Sequence, residues 1–79
     1  MITLEQIKGA RAMLGLSAGD LAKLSGLGTA TIQRMESRGT GSSSAANVET
    51  VQKALENAGV VFISSNGDGP GVRLKKNTS

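Results

Sequence analysis

Apolar residues in the first half of the chain recur at helical rather than alternating spacing. Leu4, Ile7, Ala10 and Leu14 lie three or four positions apart, which places them on one face of a helix. Thr3 and Gln6 have the spacing of a capping box, in which each side chain satisfies a backbone N–H of the first turn. Gly15 suits the left-handed residue that ends a helix. These signals predict a first helix over about residues 4–14. Ser17 repeats the logic as cap for Ala18–Ser25, with Asp20 in the first turn where negative charge complements the helix dipole. Leu21, Ala22 and Leu24 are expected to face inward, Gly26 to stop the helix, and Leu27 to plug the turn that follows. Gly28 then precedes a third predicted helix, Thr29–Ser37. Ile32 and Met35 share one of its faces, while Thr29, Ala30, Gln33 and Arg34 lie toward another.

Residues 39–44, GTGSSS, read as a flexible loop, because small polar residues cannot bury enough apolar surface to order themselves. Ser44 is the expected cap of a fourth helix running to Ala58, burying Val48, Val51, Leu55 and Ala58 and stopping at Gly59. The pattern then changes. Val60-Val61-Phe62-Ile63 is a β-branched and aromatic run, SSNGDGPG is a dense turn signal, and Val72-Arg73-Leu74 can form a second strand. Two strands alone are marginal in water, so they must pack on the helices or pair with another chain.

Seventy-nine residues with one aromatic side chain and no cysteine make one domain with a modest aliphatic core. Nine Lys and Arg against six Asp and Glu give a net charge of +3. By segment the balance is +2 over residues 1–41, −1 over 42–59 and +2 over 60–79, a small excess that favours polyanions. There is no histidine and no cysteine, and the carboxylates are not clustered. Metal ligation and proton-transfer chemistry are therefore poorly supplied, so no cofactor and no enzymatic activity are expected. The glycines of NGDGPG lack the strand–loop–helix context of a phosphate-cradling loop. No apolar run reaches membrane-spanning length, and Met-Ile-Thr-Leu-Glu lacks the order of a secretory signal. No membrane partner and a cytoplasmic location are expected.

The stretch from Leu16 to Glu36, LSAGDLAKLSGLGTATIQRME, carries the functional signal. Two short helices joined by a tight glycine turn have the form of a helix-turn-helix. Small Ala22 lets the helices approach, Gly26 permits positive φ, and Leu27 and Ile32 fill the space between them. Leu16, Ser17, Leu21, Ala22, Ser25, Gly26, Leu27, Thr31, Ile32, Arg34, Met35 and Glu36 stand in the register of the lambda-repressor-like, Cro-type (XRE-type) helix-turn-helix family. The chain resembles that family over about residues 4–58. Its tail, residues 60–74, is similar to the ends of short bacterial members.

The resemblance implies an all-α, four-helix DNA-binding domain over residues 1–59, with a short β extension and basic tail in 60–79. It implies that the third helix enters the major groove. Thr29, Ala30 and Gln33 are then the base-edge readers, and Ala18, Thr31, Arg34 and Arg38 lie toward the DNA backbone. The chemistry suits these roles: Gln pairs with adenine through two hydrogen bonds, Ala and Thr methyls meet thymine methyls, and Arg reaches phosphate or guanine. Ala18 stands where many relatives carry Gln, and Gly28 where many carry Ser, which leaves phosphate contact to backbone N–H groups at the helix starts. Lys23, Lys75 and Lys76 are further phosphate candidates. Similar domains pair a first-helix arginine with a glutamate ending the third, a role that falls here to Arg11 and Glu36.

A transcriptional regulator, most simply a repressor, is the function implied. One short recognition helix per chain makes a homodimer on a pseudo-palindromic double-stranded site the expected assembly, joined through the fourth helix or the Val60–Ile63 strand. Two alternatives stand beside it: an antitoxin whose tail holds a toxin partner protein, and a protein-interaction module that has lost DNA contact.

Overall fold

The structure, a computed structural model, describes residues 1–64, 67 and 69–75. It contains helices α1 (Leu4–Leu14), α2 (Ala18–Ser25), α3 (Thr29–Arg38) and α4 (Ala45–Asn57), a 3₁₀ turn at Thr40–Ser42, and strands β1 (Val60–Ile63) and β2 (Gly71–Leu74). This is a small, mostly helical domain with a short antiparallel sheet.

Local chemistry accounts for the helix ends. Thr3 with Gln6, and Ser17 with Asp20, each form a reciprocal capping box, so orphan N–H groups at both starts find side-chain oxygens. Gly15 (φ 69°) and Gly26 (φ 76°) close α1 and α2 in the left-handed region, where a Cβ would be strained. Ser44 accepts a hydrogen bond from Asn47 N–H and starts α4.

The core is aliphatic. Ile7, Leu21, Ile32, Met35, Val51 and Leu55 are fully enclosed, each stabilising the fold by about 2 kcal/mol relative to an exposed position. Leu27 packs partly buried against this core. Leu24 departs from expectation: it is 53% exposed. The buried or half-buried stripe of α2 runs through Ala18, Leu21, Ala22 and Ser25, at helical spacing, and Leu24 falls to one side of it. Ala58 is likewise exposed. It follows the last residue of α4 and its N–H bonds back to Ala54 O, as the chain turns away toward β1.

The GTGSSS segment is not simply a loop. Its 3₁₀ turn buries Thr40, whose Oγ1 donates to Ile2 O at 2.8 Å. That bond satisfies a carbonyl beside a core residue and fastens the end of α3 to the start of the chain.

β1 and β2 pair antiparallel, with Val60 opposite Leu74 and Phe62 opposite Val72. Val60 belongs to the helical core, and Phe62 and Val72 pack against it, so the hairpin rests on the helices. Gln6 secures it there. Its buried amide donates to Ile63 O (3.1 Å) and Gly71 O (2.9 Å) while its Oε1 accepts from Thr3 N–H. Of the predicted turn, Ser65, Asn66 and Asp68 lie outside the described residues, as does Lys76.

Candidate nucleic-acid interface

Helix α3 is divided between an anchoring face and an open one. Ile32, Met35 and Glu36 are buried. Thr29, Ala30, Gln33, Arg34, Ser37 and Arg38 are exposed, and Thr31 is half-buried at the boundary. The division follows from helical geometry: Thr29, Gln33, Ala30 and Arg34 fan over one broad side of the helix, away from the stripe of Ile32, Met35 and Glu36. Three of the side chains on the open face, Thr29, Ala30 and Gln33, are uncharged and short or of medium length, so a flat surface can approach the backbone there.

The anchoring face includes a carboxylate, and Arg11 answers it. The guanidinium Nε donates to Glu36 Oε2 at 2.8 Å and Nη2 donates to Glu36 Oε1 at 2.7 Å, the paired geometry of a fork on a carboxylate. Its Nη1 donates to Leu16 O at 3.0 Å. One side chain of α1 thus holds both α3 and the segment entering α2. Hydrogen bonding to Glu36 holds the Arg11 guanidinium protonated more firmly than usual, against the opposing effect of its burial.

The two helix starts beside this face differ. At α2 the Ser17 hydroxyl accepts from Asp20 N–H and Asp20 Oδ2 accepts from Ser17 N–H. At α3 the cap is Gly28, which offers no side-chain acceptor. Thr31 and Ile32 N–H turn back to Gly28 O, leaving the first-turn N–H groups of Thr29 and Ala30 directed outward with the positive end of the helix dipole. Ala18 is half-buried and packs against the core, so what it can offer a phosphate is its backbone N–H.

Among the described residues the ion pairs are Arg11–Glu36 and the exposed Glu49–Lys53. Lys23, Arg34 and Arg38 stand outside them and exposed. Arg34 and Arg38 are one turn apart on α3, and Lys23 lies on α2. Arg73 lies on β2 and Lys75 directly follows it, so neither belongs to α3.

Two tertiary ties are invisible in the sequence: Gln6 to the hairpin and Thr40 to Ile2. Gln6 is legible as a capping residue, but its second role depends on carbonyls 57 and 65 positions away. Thr40 sits in a run of small polar residues where no periodic signal marks burial.

Among the described residues no group of three or more acidic, histidine or cysteine side chains is placed to hold a metal ion, and no helix is long and apolar enough to cross a membrane. No family model matches the chain, and no curated protein matches it.

Proposed function

We infer that this protein is a sequence-specific, double-stranded DNA-binding regulator of the lambda-repressor-like, XRE type, which represses by occupying a promoter. In this reading α3 enters the major groove. Thr29, Ala30 and Gln33 read base edges; Thr31, Arg34 and Arg38 meet the backbone, with Ala18 N–H at the start of α2. The observation that supports it best is the division of α3. Ile32, Met35 and the Arg11–Glu36 fork hold one face rigidly, while the opposite face presents small and polar side chains beside an uncapped helix start. Binding as a homodimer follows from the limited information one short helix can read.

Selection of bound sequences from random duplex DNA tests the reading. Enrichment of a pseudo-palindrome with half-sites one helical turn apart is the expected outcome. Recovery of sequences no different from the starting pool counts against it.

A further inference from the structure

The chain has three glutamines, and two of them spend their amides inside the protein. Gln6 donates to Ile63 O and Gly71 O, and Gln52 donates to Glu56 Oε2 at 3.2 Å. Gln33 is exposed on α3. The carboxylate within its reach is Glu36, three positions on and therefore a neighbour on the helix surface. Both Glu36 oxygens already accept from Arg11, at 2.8 and 2.7 Å. The Ser37 hydroxyl, four positions on, turns back to Arg34 O at 3.5 Å. Among the described residues the Gln33 amide thus keeps its donors and its acceptor free for a partner outside the chain.

The neighbours of Gln33 narrow what that amide fits. Ala30 and Thr29, three and four positions back, are short, and none of the exposed residues of α3 is acidic. A carboxylate favours the N4 amino group of cytosine, and a cation favours the two acceptors of guanine. A neutral amide holds a donor and an acceptor side by side. That pattern matches adenine, whose N7 accepts and whose N6–H donates in the major groove.

Adenine N6 carries two hydrogens. One bonds to thymine within the base pair, and the other points into the major groove on the N7 side. A methyl group on N6 that leaves the base pair intact must replace the groove-side hydrogen. It removes the donor that the Gln33 carbonyl needs and crowds N7, the acceptor that Nε2 needs. Contacts to phosphate do not sense the change.

We propose that this protein discriminates against methylated DNA: N6-methylation of the adenine facing Gln33 weakens its hold on the site. The proposal rests on the DNA-binding function inferred above and adds a control exerted by the DNA itself.

The test is fluorescence anisotropy of the full chain with the duplex recovered by selection, unmodified or carrying N6-methyladenine at one adenine position per half-site at a time. Low salt keeps phosphate contacts strong enough for weakened complexes to be measured. Methylation at one such position is expected to weaken the wild type about tenfold or more. Gln33→Ala is expected to bind that methylated duplex and the unmodified one alike. A general effect of the methyl group on the duplex would weaken both proteins, so the variant isolates the readout by Gln33. Equal wild-type affinity for the unmodified duplex and every methylated one overturns the proposal while leaving DNA binding intact. Discrimination that survives in Gln33→Ala overturns it too, since another residue would then face the adenine. A selection that enriches no sequence removes the DNA-binding reading and this proposal together.

Discussion

Arg11 and Glu36 meet through two hydrogen bonds, of 2.8 and 2.7 Å, with Glu36 nearly enclosed and Arg11 keeping about a quarter of its side chain in water. The pair joins the chain's first helix to the last turns of α3, so it fixes the pose of the face proposed to read DNA. Removing either partner leaves the other charge in a poor environment. Arg11→Ala and Glu36→Gln are each expected to destabilise the domain by about 2 kcal/mol, below the full buried-pair penalty because Arg11 remains partly hydrated. Urea melts of both single variants and the double variant measure this. The double variant is expected to cost clearly less than the sum of the singles; simple additivity would mean that the pair does not couple.

Gln6 is expected to matter for the hairpin more than for the helix it caps. Gln6→Leu keeps the bulk but leaves Ile63 O and Gly71 O without the amide donor and removes half of the Thr3 capping box. The expected loss is about 2 kcal/mol. Hydrogen exchange should show it concentrated in Val61 and Arg73 amides. Protection lost instead across α1 alone would assign Gln6 a capping role only.

The elements are legible in the sequence where their causes are local. Thr3–Gln6, Ser17–Asp20, Gly15 and Gly26 act within one turn of the chain, so spacing alone displays them. Ile32 and Met35 follow from periodicity. Leu24 does not, because in an eight-residue helix a few apolar residues do not define which stripe is buried. Thr40 is hidden for a different reason: its burial depends on Ile2, 38 positions away. The site residues of α3 are legible as exposed positions, but their exposure together with an uncapped Gly28 becomes visible only with the packing of α1 and α2 around them.

Asp20 contributes to the acid side of the stability curve. Its carboxyl is held below the usual carboxylate range, first by the backbone N–H of Ser17 and then by the Ser17 hydroxyl. A depressed folded-state value means that the stabilisation is complete above the ordinary aspartate range and is lost as pH falls through the folded value. Asp20→Asn is therefore expected to flatten the fall in Tm on acidification while changing the melt little in shape near neutrality. A wild-type acid limb as steep in the variant would remove Asp20 from the account.

The open face of α3 is expected to separate affinity from stability. Gln33→Ala is predicted to weaken binding to the selected duplex about tenfold to a hundredfold and to relax selectivity at one base pair per half-site, with an unchanged Tm. Arg38→Ala is predicted to weaken all sequences alike and to reduce the slope of log affinity against log salt by about 1 for each phosphate that the guanidinium neutralises. Titrations by fluorescence anisotropy at several salt concentrations read both effects. A variant of Gln33 that binds every duplex as the wild type does would exclude it as a reader.

The most direct measurement is backbone amide shift mapping of the protein titrated with the selected duplex. The account predicts the largest changes at Thr29, Ala30, Gln33 and Arg34, with further changes at the Ala18 and Gly19 amides, and little change at Val61 or Gly71. Changes confined to α4 and the hairpin, with residues 29–34 unmoved, would contradict it.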